Sequence, residues 1–205
     1  MKKRYLLLIL CLLCSVTTFS QKLYVWCPED QNINQREYFL ENETVAVVVF
    51  DSRTIPDKSK IECTRENVLK SIQENIKKAY PSAVINQLDD SEFHKKSEDG
   101  SVTIKIDISA YHAGFGKDIN VAIGSVGGEF SFGFIPKGKW NALTRLNVTI
   151  FDNRNDSKQK YSDEIMEIES KSNMLGYKSA KDCLKVTYAT VIQRMLSFID
   201  KSLME

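Results

Sequence analysis

Two histidines, five cysteines and one carboxylate-rich stretch are the features of this 205-residue sequence that could carry reaction chemistry. His94 stands in the charged run Phe93-His94-Lys95-Lys96, and His112 follows Tyr111. Neither has a second His, a Cys or a carboxylate at the H-E-x-x-H spacing that lets one helix face hold zinc, so both read as surface histidines. Ile123-Gly124-Ser125-Val126-Gly127 approaches G-x-S-x-G, but the first glycine is missing and no helix follows the serine, as a nucleophile elbow requires. Gly124 to Gly128 lacks the Gly-Lys-Ser/Thr ending of a phosphate loop. Asp163, Glu164, Glu167 and Glu169 lie along one stretch, whereas paired-carboxylate catalysis needs a second element to place its partner across a substrate; a solvated face is expected.

The cysteines divide by position. Cys11 and Cys14 fall in the first twenty residues, which leaves Cys27, Cys63 and Cys183. No two of these three sit at zinc-knuckle or Cys-x-x-C spacing, so a structural bridge or buried thiols are expected, and spacing alone does not choose a pair. A cysteine nucleophile served by His94 or His112 is the enzymatic alternative. The expectation is a non-catalytic chain with no metal site and no cofactor.

Lys2, Lys3 and Arg4 precede an apolar run from Tyr5 to Leu13 and then Thr18-Phe19-Ser20, the three regions of a secretory signal peptide with cleavage after Ser20. The run is too short for a membrane anchor, and Leu10 and Leu13, rather than small residues, precede Cys11 and Cys14, which argues against lipidation. Removing three basic residues and no acid leaves a formal charge of −2. Without a positive excess nothing favours a nucleic-acid partner. With 42% hydrophobic and 27% charged residues the remainder reads as one globular domain rather than a disordered chain.

Residues 21–43 are polar, contain Pro28 and show no sustained period, and read as an amino-terminal arm to a single domain over 44–205. Thr44 to Asp51 (TVAVVVFD) is a short β-branched apolar run, as expected of a strand buried on both faces. Thr64 is the expected N-cap of a helix carrying Val68, Leu69, Ile72, Ile76 and Ala79 and stopped by Pro81. Val84 to Leu88 is a shorter strand. Val102 to Tyr111 alternates, with Val102, Ile104, Ile106 and Ile108 on one face and Thr103, Lys105, Asp107 and Ser109 on the other. Asn141 to Asp152 repeats the pattern, with Leu146, Val148 and Ile150 facing one way and Arg145, Asn147 and Thr149 the other, and Asp152 to Lys158 is turn chemistry before a returning strand over Lys160 to Glu169. A long closing helix starts near Ser179. These elements predict an α+β fold, a mostly antiparallel sheet with two amphipathic helices on one face.

Seven of the nine glycines fall between Gly114 and Gly138, a concentration that marks this stretch as unlike the rest. Within it Ile119, Val121 and Ile123 alternate before Gly127-Gly128, and Phe130, Phe132 and Phe134 alternate after, the pattern of a hairpin with a glycine turn. Its arms are shorter than a membrane-spanning strand needs. Val121, Ile123, Phe130, Phe132, Phe134 and the adjoining Trp140 are the candidate partner-binding residues, since exposed apolar patches mark interaction sites.

The order of a buried strand ending Phe50-Asp51-Ser52-Arg53, a helix closed by Pro81, long amphipathic strands and a terminal helix resembles a group of bacterial envelope modules. They include the amino-terminal domain of TolB, the penicillin-binding-protein activator lipoproteins and the curli secretion channel lipoprotein, and the local likeness lies in V-A-V-x-x-F-D at Val45 to Asp51. The resemblance implies an exported module of the periplasm, cell envelope or exterior that binds an envelope protein, or a peptidoglycan or lipid component. Peripheral membrane contact and homo-oligomerisation are further uses it allows. A thiol-dependent or other hydrolase and a self-assembling surface protein are the alternatives.

Overall fold

The computed structural model describes residues 22–57, 59–95, 100–116, 138–154 and 159–204. Residues 1–20, and residues 117–137 of the expected hairpin with Val121, Ile123, Phe130, Phe132 and Phe134, lie outside the described residues.

In chain order the elements are β1 (Leu23–Val25), β2 (Thr44–Asp51), β3 (Lys60–Ile61), α1 (Arg65–Ala79), β4 (Val84–Leu88), β5 (Val102–Phe115), β6 (Lys139–Asp152), β7 (Gln159–Ser172) and α2 (Tyr177–Met204). Short 3-10 turns cover Asp90–Glu92 and Asn173–Leu175. The fold is α+β, as expected, but the sheet is mixed rather than mostly antiparallel. β2 runs parallel to both β4 and β5, and β1 parallel to β3, whereas β1–β5, β5–β6 and β6–β7 are antiparallel. A crossover helix explains the correction: α1 carries the chain back to the end of the sheet where β2 began, so β4 must run in β2's direction. β2 lies between β4 and β5 and is buried along most of its length, which is why its sequence is apolar at nearly every position.

Thr64 caps α1 as expected, its Oγ1 accepting the Asn67 N–H at 3.3 Å. Both helices lie on one face of the sheet, where Val45, Val47, Ile104, Ile106, Leu146 and Ile150 meet Ile72 and Ile76 of α1 and Leu184, Ile192 and Met195 of α2 in one apolar layer. The helices are joined by polar contacts as well. The Tyr188 hydroxyl lies 2.8 Å from Ser71 Oγ and accepts from Asn75 Nδ2 at 3.2 Å, so a phenol buried in the layer is hydrogen-bonded. α2 starts two residues before Ser179, directly after Gly176, whose φ of 54° favours a residue without a Cβ.

The segment expected to be an arm is built into the fold. β1 adds to the sheet, Arg36 N–H donates to Ala79 O at 2.8 Å, and the Arg36 guanidinium meets Asp200 at 2.6 Å. Cys27 and Cys63 form a disulfide, and Cys183 is a buried free thiol. The bridge joins the segment after β1 to the start of α1, 36 residues along the chain, and closing such a loop is worth about 4 kcal/mol in the chain-entropy picture.

Candidate functional site

Two regions combine accessibility with organised side chains. The first is the end of the helix layer where α2 begins and where β5 and β6 part. Trp140, on β6, is 5% exposed and packs against Tyr24, Tyr177 and Phe115, with ring centroids 5.3, 5.6 and 5.2 Å away; its indole N–H donates to Asn173 Oδ1 at 2.7 Å. Tyr24 also stacks on Trp26, and its hydroxyl, 3.4 Å from that of Tyr177, is pushed up to about 12 by that contact and by burial. Around this packed base Met174 is 88% exposed, Leu175 61% and Tyr177 54%, with Phe115 and Ile61 also open to solvent, while the Lys60 and Lys22 ammonium groups lie over the Tyr177 and Tyr24 rings at 5.8 and 5.5 Å. Trp140 is therefore the support of the patch and not its contact surface.

The second region lies on the opposite face of the sheet and is made by a slip in register. Ile108 pairs with Leu146, but Ala110 pairs with Arg145, so Ser109 is an extra residue in β5. Such a bulge reverses which side chains point where. Before it, Ile104, Ile106 and Ile108 face the helices; after it Tyr111 and Ala113 do, and Ala110 and His112 turn to the other side. There Ser52, Thr54, Ser109, Ala110, His112, Leu143 and Arg145 line a cleft of about 310 Å³. Arg145 Nε donates to Ser109 Oγ at 2.8 Å, and Asp107 beside them accepts from Ser52 N–H at 3.2 Å and Asn147 Nδ2 at 3.1 Å.

His112 is thus half-buried in a cleft rather than the surface histidine its sequence context suggests. Burial first, then the Arg53 and Arg145 guanidinium groups, lower its pKa from 6.5 to about 4 and hold it neutral. Behind the cleft wall Arg53 is buried against Asp51, their side chains 2% and 3% exposed. The pair is bidentate, with Nε to Oδ1 at 2.9 Å and Nη2 to Oδ2 at 2.5 Å, and Arg53 Nη1 also donates to Tyr111 O at 3.2 Å. No spacing rule pointed to this cleft, because its members come from three separate segments, the turn after β2, β5 and β6; the Phe50-Asp51-Ser52-Arg53 ending of β2 was the one local signal.

The remaining candidates separate. His94 is exposed, with its ring 5.3 Å from that of Phe93 and 5.9 Å from that of Phe50. Cys63 is oxidised, and burial pushes the Cys183 thiol up to about 11, the reverse of an activated nucleophile. Cys183 lies in the helix-side layer and His112 on the far face of the sheet, so the two do not form a thiol–imidazole pair. Ser109 is occupied by Arg145 on both counts, accepting from Nε and donating to the backbone oxygen at 3.4 Å, so its hydroxyl is not poised on a base. Of the acidic stretch, Glu167 pairs with Arg194 at 2.8 Å. Among the described residues no group of His, Cys, Asp and Glu is gathered as a metal site, and no helix is long and apolar enough to cross a membrane.

No protein-family model matches the chain, and no curated protein matches it significantly. Solved structures do. The hypothetical protein CT253 of Chlamydia trachomatis matches with a TM-score of 0.45 and 10% identity, covering 77% of this chain and 95% of its own. An uncharacterised protein matches at 0.42 and 12%, covering 83% and 99%. Lipoprotein GNA1162 of Neisseria meningitidis matches at 0.31 and 9%, covering 75% and 98%. At these TM-scores the likeness is one of outline alone. Bacterial lipoproteins are among the structures this chain resembles, no named family is assigned, and its function has to be read from its own residues.

Proposed function

We propose that this chain is a non-catalytic, exported module of the bacterial cell envelope that docks a protein partner through the aromatic end of its helix layer. The observation that carries the reading is the exposed cluster of Met174, Leu175, Tyr177 and Phe115 on the rigid base of Trp140, Tyr24 and Trp26. Met, Tyr and Phe are the side chains that supply contact area at interfaces, and Met174 and Leu175, left in water at 88% and 61% exposure beside those rings, are best accounted for by a surface that covers them. The cysteine chemistry supports a binding role over a thiol hydrolase: one pair is a disulfide and the third thiol is buried and protonated.

The test is capture from native envelope extracts with the mature chain as bait, beside a Met174→Ser, Leu175→Ser variant of unchanged thermal midpoint. Loss of one stoichiometric protein partner in the variant supports the reading. Equal capture by both, or loss of binding to lipid vesicles in place of a protein, overturns it.

A further inference from the structure

β7 has pairing capacity that folding leaves unused. It is a strand of 14 residues, Gln159–Ser172, bonded to β6 along its whole length without a register shift, and among the described residues no strand pairs with its other side. The strands at the opposite margins of the sheet, β3 and β4, are only 2 and 5 residues long. A long edge without proline or bulge presents a row of backbone donors and acceptors, which proteins ordinarily shorten or break. This edge also carries charge. Asp163, Glu164 and Glu169 have no hydrogen bond or ion pair among the described residues, whereas Glu167 is held by Arg194. Alternation puts Asp163 and Glu169 on the face of the buried Ile165, and Glu164 on the face of the partly buried Met166 and Ile168. We propose that β7 accepts a basic, extended segment of a partner protein as an added antiparallel strand; this rests on the docking reading, since the strand leads to Met174 and Leu175, and it names the form of the partner.

Charge decides between occupants. Two copies paired antiparallel through β7 would bring the carboxylates of residues 163–169 against one another, and like charges directly opposite are unfavourable. Lysine or arginine opposite Asp163, Glu164 and Glu169 reverses the sign. Arg194 shows the fit within the chain: its Nη1 donates to Met166 O at 3.1 Å and lies 2.8 Å from Glu167 Oε2, so one basic group binds a strand carbonyl and a carboxylate together. Apolar side chains between the basic ones would cover Met166 and Ile168, as alternate residues do when a strand is added to a sheet edge.

The probe is a synthetic peptide, Leu-Leu-Thr-Thr-Lys-Val-Thr-Val-Thr-Lys-Lys, whose antiparallel register sets its lysines opposite Glu169, Glu164 and Asp163 and its valines opposite Ile168 and Met166. Binding to the full mature chain is followed by fluorescence anisotropy and by amide hydrogen exchange. Expected are saturable binding and slowed exchange at alternate amides of β7. Replacing both valines of the peptide by proline, which keeps every charge and breaks the ladder, should weaken binding about tenfold. Asp163→Asn, Glu164→Gln and Glu169→Gln together, which keep the shape of the edge and remove its charge, should weaken it about fivefold, as should added salt. Equal binding of the proline peptide, unprotected β7 amides, or protection of β7 by self-association of the free chain overturns the proposal. The two readings fail separately. Peptide protection of β7 that survives Met174→Ser with Leu175→Ser upholds the added strand and counts against the patch, whereas patch-dependent capture of an envelope protein with β7 exchange unchanged overturns the strand and keeps the patch.

Discussion

The two faces of the sheet in this protein are made by the same strands and have opposite characters. Facing α1 and α2, β2, β5 and β6 present Val45, Val47, Ile104, Ile106, Leu146 and Ile150, all buried in a single apolar layer. Facing away, the same strands present Phe50, Lys105, Asp107, Arg145 and Asn147, with a small apolar cluster of Ala110 and Leu143 beside Met166 and Ile168. Lys105 shows how differently the second face is solved. It is buried, with its ammonium donating to Phe93 O at 2.6 Å and to Lys95 O, and it lies over the Phe93 and Phe151 rings; burial lowers its pKa. One face is stabilised by area removed from water, the other by specific polar partners. Damage to the first should therefore unfold the chain, and damage to the second should alter local chemistry.

The largest effect is expected where a charge is sealed beneath the covered face. Asp51→Ala leaves the Arg53 guanidinium buried without its carboxylate and should cost about 3 to 5 kcal/mol, read as a lowered urea midpoint. Replacing both, as Asp51→Leu with Arg53→Leu, should lose much less, because no charge is then left unpaired. A double variant as damaged as the single would mean that the pair matters for its shape and not its charge.

Cys27→Ser comes next. It releases the 36-residue loop that ties β1 to the start of α1 and should cost about 4 kcal/mol, or less where the freed chain keeps structure when unfolded. Reducing agent should lower the thermal midpoint of the wild type and leave that of the variant unchanged.

The helix-free face is tested by acid. His112 has a folded pKa of about 4 against 6.5 for the free side chain, so as pH falls the unfolded chain takes up the proton first. Its contribution is complete above pH 6.5 and is lost between 6.5 and 4, a change of up to about 3 kcal/mol. His112→Gln should flatten that part of the stability profile measured by denaturant melts. A variant with the wild-type slope would place the acid sensitivity in other groups.

Two smaller effects complete the comparison. Thr64→Ala removes the side-chain acceptor for Asn67 N–H at the start of α1 and should cost about 1 kcal/mol in equilibrium denaturation. Met174→Ser, on the exposed aromatic end, should leave stability within about 0.5 kcal/mol, since a side chain already in water gains nothing on folding. A large loss there would show that the patch is covered within the chain itself.

Periodicity was enough to place β2, α1, β4, β5, β6, β7 and α2, and the alternation of Leu146, Val148 and Ile150 against Arg145, Asn147 and Thr149 named both faces of β6 correctly. These are local properties: a 2.0 or 3.6 residue period and a capping threonine are written within a few residues of the structure they specify. What depends on distant residues was decided in three dimensions. Only the folded chain pairs Cys27 with Cys63 and not with Cys183, draws Leu23 to Val25 into the sheet, and sets β2 parallel to both its neighbours. The same holds for the cleft. One extra residue at Ser109 moves His112 from the helix side of β5 to the other, and a slip of one residue leaves no trace in composition or period, because it exists only relative to the strand that β5 pairs with.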